Sequence, residues 1–196
     1  MLEYIKGELT QVTPTYAVVE AAGVGYLLNI SVNTYSAISA EKSTKLLVHE
    51  IIREDTHDLY GFAAEEERAL FRLLIGVSGV GANTARVILS SLSPSQLQMC
   101  ITAGDANKLK AIKGIGLKTA QRIIVDLKDK ITATELAALN APMAAPDNNS
   151  SGEEALAALI MLGYQKAQAQ KALAKVYATD PTASIETAIK RALALL

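Results

Sequence analysis

Two stretches of this chain share one pattern, and that pattern is compatible with few structures. Gly79-Val80-Gly81-Ala82-Asn83-Thr84-Ala85 runs on through Ile88 and Leu89 to Leu92, and 35 positions later Gly114-Ile115-Gly116-Leu117-Lys118-Thr119-Ala120 runs on through Ile123 and Ile124 to Leu127. Six of the fourteen paired positions are identical, and the pairs Val80/Ile115 and Leu89/Ile124 keep their apolar character. A Gly-apolar-Gly turn followed by three- and four-residue apolar spacing predicts a tight turn that opens a helix. Such a turn leaves backbone N–H groups pointing outward at the positive end of the helix dipole, which is an anion site made of backbone. Two such sites on one small domain point to a grip on two phosphates, and so to nucleic acid.

A lone Gly-x-Gly is a weak signal. Gly23-Val24-Gly25 has the same form, but strand-like sequence follows it, so it reads as part of a hairpin turn. The duplicated copies differ in sharing Thr and Ala as well as glycine and in sitting amid positive charge. Net charge is −1 for the whole chain, but it is unevenly spread: −4 over residues 1–63, +4 over 64–132 and −1 over 133–196. The surplus lies where a phosphate-binding surface needs it. Lys118 and Arg122, four apart on one helix face, stand in the first turns of their helix, where cations oppose the dipole. A phosphate between them and the N–H groups removes that conflict.

The first 62 residues read as five short strands, Leu2 to Leu9, Tyr16 to Ala21, Gly25 to Ser31, Leu46 to Arg53 and Leu59 to Phe62, which fit an OB-like β-barrel. Helical spacing then predicts helices over Glu65–Ile75, Asn83–Leu92, Pro94–Ala103, Asp105–Ala111 and Lys118–Ile131. Residues 140–152, with two prolines and a polar run, have the composition of a flexible tether. Three more helices are expected beyond it, over Glu153–Leu162, Gln165–Tyr177 and Thr182–Leu195. The expected organisation is therefore α+β: a barrel over 1–63, an all-α domain with two helix-hairpin-helix motifs over 64–139, a linker over 140–152, and a three-helix bundle over 153–196. A small domain beyond a tether usually holds a partner.

Other chemistries find no support. Gly116-Leu117-Lys118-Thr119 lacks the Gly directly before Lys that a P-loop requires, and neither turn continues as Gly-x-Gly-x-x-Gly. His49 and His57 have no cysteine cluster nearby and read as solvated strand or turn residues, so no zinc site is expected. No nucleophile is paired with a base, and no cofactor is expected. The single Cys100 fits a reducing cytoplasm. The N-terminus has an early acid and no apolar run of the signal-peptide kind, and the longest apolar stretch, Ala155 to Gly163, is about half of what spans a bilayer. A soluble cytoplasmic protein without a membrane partner is expected.

The order of these features carries a resemblance. A small barrel ends in Arg53-Glu54-Asp55 and Leu59-Tyr60-Gly61-Phe62; two glycine-turn hairpins and Ile123 to Lys130 follow, then a Pro-containing tether and a helix with Leu162-Gly163-Tyr164. Over its whole length the chain resembles the RuvA family, the DNA-binding subunits of bacterial Holliday junction branch migration complexes. The resemblance implies a homotetramer, or two facing tetramers, that holds four-way junction DNA open as a flat square in recombination and repair. It implies that Gly79, Val80, Gly81, Asn83 and Thr84 grip one DNA backbone segment and Gly114, Ile115, Gly116, Lys118, Thr119 and Arg122 another. Glu54 and Asp55 would form an acidic pin near the fourfold centre, where carboxylates from each chain repel phosphates and discourage re-pairing. The C-terminal domain would bind the RuvB ATPase motor through Leu159, Leu162, Tyr164 and Leu193, with the RuvC resolvase as a further partner. The chain itself would be an accessory subunit and no enzyme.

Two positions depart from the family pattern. Ala82-Asn83 stands where many relatives have Pro-Lys, and Leu117 replaces a position that is often basic. Both predict a weaker electrostatic grip, offset in part by Arg86 or by Lys108, Lys110 and Lys113. Two other classes stay open on the residues alone. One is a helix-hairpin-helix DNA glycosylase or lyase, which needs a catalytic acid or lysine in a pocket. The other is a protein-interaction adaptor whose hairpins merely pack protein.

Overall fold

A computed structural model describes residues 1–132, 150–181 and 183–196, in two compact units, Met1–Ala141 and Pro142–Leu196. The first unit opens with β1 (Tyr4–Val12), β2 (Tyr16–Ala21), β3 (Val24–Asn29), β4 (Ser43–Ile52) and β5 (His57–Phe62). They close into a barrel in the order β1-β2-β3-β5-β4, with β4 returning antiparallel to β1. The seam is the parallel β3–β5 contact at Asn29 and Tyr60. Alternation turns Ile5, Ala17, Val19, Leu28, Leu46 and Val48 inward. Closure needs a sharp bend in β1. The β1–β2 register shifts between Leu9 and Gln11, and a Cβ on Gly7 would lie 1.9 Å from the Glu20 carbonyl oxygen, so only glycine allows that approach. Gly23 lies in the hairpin turn that the sequence predicts. Ala22 and Gly23 make a two-residue hairpin turn, both with positive φ (51° and 79°), as a type I′ turn requires.

One element is absent from the sequence reading: α1 (Val32–Ile38), between β3 and β4. Ser31 caps it, its Oγ accepting from the Thr34 N–H at 3.0 Å. Seven residues rich in β-branched and polar side chains have little helix propensity, so tertiary contacts decide the matter. Ile38 enters the barrel core, and the Asn33 amide donates to the Leu92 carbonyl at 2.9 Å.

Five helices follow: α2 (Glu65–Ile75), α3 (Ala82–Ser91), α4 (Pro94–Ala103), α5 (Ala106–Lys110) and α6 (Leu117–Thr132). They share one core, into which the barrel also contributes Tyr60 and Phe62. Phe71 of α2 is the junction, with its ring 5.0 Å from both of those rings and 5.5 Å from His49. His49 is thus half-buried against an aromatic ring, contrary to the solvated reading, and burial with Arg72 and Arg68 nearby lowers its pKa. Two buried ionisable side chains on α2 complete the dock. Glu67 accepts from Ser31 and from Thr34 Oγ1 (2.7 Å) on α1. Arg68 donates to the Glu3 and Val48 carbonyls at 3.0 and 3.3 Å and to the carboxylates of Glu3 and Glu65. Burial opposes the Arg68 charge, but those carboxylates outweigh it and raise its pKa.

The second unit is α7 (Ser150–Met161), α8 (Lys166–Thr179) and α9 (Ile185–Leu193) around a small-residue core of Ala155, Leu159, Ala169, Ala172, Leu173, Val176, Ala188 and Ala192. Alanines let the three helices approach closely. Of the tether expected over 140–152, residues 140–149 lie outside the described residues, and 150–152 belong to the first turn of α7.

Candidate nucleic-acid interface

The duplicated pattern folds twice into the same backbone. Gly79 and Gly114 take φ of +89° and +90°, a left-handed conformation that favours glycine. Val80 N–H donates to the Val77 carbonyl at 3.0 Å, and Ile115 N–H to the Ile112 carbonyl at 3.1 Å. Ala85 donates to Gly81 and Ala120 to Gly116, each at 2.9 Å, making Gly81 and Gly116 the residues that open α3 and α6. The repeat extends further upstream than the sequence pattern showed. Val77 N–H to Leu74 (3.0 Å) is matched by Ile112 N–H to Leu109 (3.1 Å), an apolar pair three residues apart in each copy. That spacing was the available signal.

Val80 and Ile115 are buried in the helical core, together with Ala85, Ala120, Ile88 and Ile123. Their side chains brace the turns, so those two positions can offer a ligand only backbone. Gly81 and Gly116 differ. Neither has positive φ, and a Cβ at either would meet nothing within 4 Å. Neither backbone conformation nor internal packing requires glycine there, and a glycine leaves the backbone open to close approach from outside. Gly81 makes no side-chain cap to α3, and glycine at position 116 can make none to α6. The first N–H groups of both helices therefore have no capping side chain and lie at the positive end of the dipole.

The charges are unequal between the copies. At the second turn Lys118 and Arg122 are exposed, and Arg122 Nε lies 3.8 Å from Asp126 Oδ2 one helical turn on. The matching positions of the first turn hold Asn83 and Val87, both exposed and uncharged. Thr84 and Thr119 are half-buried at equivalent places. Arg86, expected to supply a compensating cation, is engaged within the fold. Its Nη1 donates to the Thr15 carbonyl (2.9 Å) and Asn29 Oδ1 (3.1 Å) of the barrel, and its Nη2 to Asn83 Oδ1 (3.0 Å). The local pattern does not reveal this anchorage, because its barrel partners lie 57 and 71 positions away. Lys108, Lys110 and Lys113 are exposed on and beside α5.

Glu54 and Asp55 are exposed at the tip of the β4–β5 hairpin, in a turn closed by the Arg53 N–H donating to the Thr56 carbonyl at 2.8 Å. At its base His57 Nε2 meets Glu50 Oε1 at 2.9 Å, and that bond, with a second from the Leu2 N–H, lowers the Glu50 pKa. In the C-terminal unit the four expected contact residues divide. Leu159 is fully buried in the core of that unit, so it offers no direct contact, whereas Leu162 (60%), Tyr164 and Leu193 (36% each) are exposed. Leu162 and Tyr164 flank Gly163, whose φ of +96° ends α7 in a Schellman motif, with Gly163 N–H on Ile160 (2.9 Å) and Tyr164 N–H on Leu159 (3.1 Å). Among the described residues, no cluster of three metal-ligating side chains occurs, and no helix is long and apolar enough to cross a membrane.

The architecture defines a class: tandem helix-hairpin-helix proteins built onto an OB-type barrel and carrying a separate small helical unit. Comparison with known proteins narrows it. Residues 1–61 match the RuvA N terminal domain, 71–129 the SAM-like helix-hairpin-helix tandem, and 151–196 the RuvA C-terminal domain. Proteins named Holliday junction branch migration complex subunit RuvA from Bacteroides fragilis and Parabacteroides distasonis are each 54% identical to the chain, over 98% and 100% of both partners, respectively. One from Porphyromonas gingivalis is 48% identical over 100% of both. The chain belongs to the RuvA family.

Proposed function

We propose that this protein is a non-catalytic subunit that recognises four-way junction DNA by shape and backbone contact, holds it open, and couples it to an ATP-driven branch-migration motor, RuvB. The observation that carries this is the pair of glycines, Gly81 and Gly116, that nothing inside the fold requires, each at the start of a helix without a capping side chain. Phosphate is the ligand that backbone N–H groups at such a place take best, and phosphate contacts orient without reading bases. The relatives' shared name supplies the junction. The working assembly is a homotetramer, alone or as two facing tetramers, in the cytoplasm, with the Glu54-Asp55 hairpin tips near the fourfold axis. The exposed Leu162, Tyr164 and Leu193 would be the motor contacts, and the RuvC resolvase would share the junction. The glycosylase reading loses ground because Asp126, the acid it would call on after the second hairpin, is half-exposed and faces Arg122.

The test is a gel shift of the full-length protein on a four-way junction and on a duplex of equal length, across a salt series. A strong junction preference with discrete bands for one and two tetramers is expected. Equal affinity for the two DNAs would overturn junction recognition, and absence of salt-dependent binding would favour the adaptor class.

A further inference from the structure

The two hairpins present the same backbone but different side chains, and the difference has a structural cause. Lys118 of the second copy corresponds to Asn83 of the first. Where the second hairpin offers a cation, the first offers an amide tied to the barrel. A guanidinium has only donors, so an amide that meets it must turn its oxygen inward. Asn83 does so, its Oδ1 3.0 Å from Arg86 Nη2. Nδ2, on the other branch of the planar amide, is thereby turned away from the guanidinium. Asn83 is exposed, and its Nδ2 has no hydrogen-bond partner among the described residues. Arg86 is itself held: Nη1 is engaged by the Thr15 carbonyl and by Asn29 Oδ1. Asn29 is oriented in turn, since its Nδ2 donates to the Leu59 carbonyl of β5 at 3.3 Å. A chain of hydrogen bonds thus runs from the barrel seam to the first turn of α3.

We propose that Arg86 is a positioning residue for the first hairpin: anchored on the barrel, it holds Asn83 by its oxygen so that the Nδ2 donors face a DNA phosphate beside the open N–H groups of α3. The proposal rests on the junction-binding reading above. It explains how a family member can do without a cation here and still hold the phosphate. A neutral donor displaces no counterion, so this hydrogen bond adds affinity without adding salt dependence. It also makes the first hairpin's grip depend on the barrel, because any shift of β3 against α3 moves the amide.

The experiment is a fluorescence titration of a labelled four-way junction with full-length wild type, Asn83→Ala, Arg86→Ala, the double variant, and Lys118→Ala as a cation control, over a salt series. Asn83→Ala and Arg86→Ala should each weaken binding about tenfold, the scale of a hydrogen bond to a charged group. The double variant should be no weaker than the worse single variant, because the two residues act as one unit. All three should keep the wild-type salt slope, whereas Lys118→Ala should lower it by about 0.9 for each phosphate that the lysine neutralises. Additive effects, or a lowered slope for Arg86→Ala, overturn the proposal. Melting temperatures guard against a merely structural effect, and Asn83→Asp decides the matter if Arg86→Ala proves unstable. A carboxylate keeps the acceptor for Arg86 and suits a helix N-terminus, so stability should hold or rise while junction binding is abolished. Binding of Asn83→Asp within about twofold of wild type would refute the positioning role. Wild type that shows no salt-dependent DNA binding overturns the functional reading itself, whereas normal wild-type binding with additive variants overturns this proposal alone.

Discussion

At the scale of single residues, several side chains are spent on joining parts of the fold, and Glu67 is the most consequential. It is buried between α2 and the start of α1, and burial raises its pKa although hydrogen bonds from Ser31 and Thr34 oppose the shift. A carboxyl whose folded pKa lies above its unfolded value contributes most to stability below the unfolded pKa. That contribution is lost as pH rises through the folded pKa. Glu67→Gln removes the titration while keeping one acceptor. Thermal melts of both proteins from about pH 4 to about pH 8 should therefore show the variant gaining on wild type as pH rises, and matching or exceeding it at neutrality. A difference that stays flat with pH, or shrinks, would show that Glu67 bears no burial strain. Comparing the two proteins cancels the opposite trend from Glu3 and Glu50, whose lowered pKa values make stability fall as pH falls.

At the scale of elements, the hairpins separate two roles for glycine that look alike in sequence. Gly79 and Gly114 have positive φ near 90°, so alanine there strains the backbone by about 1–3 kcal/mol. Gly81 and Gly116 have ordinary φ and open space around the missing Cβ, so alanine there should cost at most about 1 kcal/mol, the scale of a poorer N-cap. Gly81→Ala and Gly116→Ala should nevertheless weaken junction binding about tenfold or more, because the added methyl stands where a phosphate must approach. Melting curves beside junction titrations give the check: near-native stability with reduced binding is expected, and unaltered binding would place the DNA elsewhere. The two kinds of glycine also show what was legible at this scale. The glycine spacing, the helix behind it and the buried apolar pair Ile88/Ile123 could be read from the residues. The left-handed turn at Gly79, the open flank at Gly81 and the seven-residue α1 could not, since each depends on what surrounds it.

At the scale of the whole molecule, charge is distributed by task. The positive surplus lies with the hairpins, whereas Glu54 and Asp55 occupy an exposed hairpin tip and form no salt bridge among the described residues. In the proposed tetramer those tips would meet at one axis and repel phosphates. Glu54→Gln with Asp55→Asn should then leave junction affinity equal or higher, because repulsion is removed, while strand separation at the crossover, read with paired fluorophores, should fall. A collapse in affinity would sink the pin. The C-terminal unit, a separate alanine-rich core, leaves Leu162, Tyr164 and Leu193 exposed.

The sequence by itself determined every described element but α1, and their order: period-two alternation for the barrel strands, three- and four-residue spacing for the helices, and a glycine repeat marking two equivalent turns. These are local properties, set by backbone sterics and by which face of each element is apolar. Only the tertiary structure decided which side chains are committed to the fold and which are left exposed. Leu159 and Val80 became core, His49 was covered by Phe71, and Arg86 was drawn to Thr15 and Asn29. The physical reason is that burial and hydrogen-bond satisfaction are set by partners far apart in the chain. A guanidinium goes to the acceptors that folding places beside it, and no local pattern records which those are.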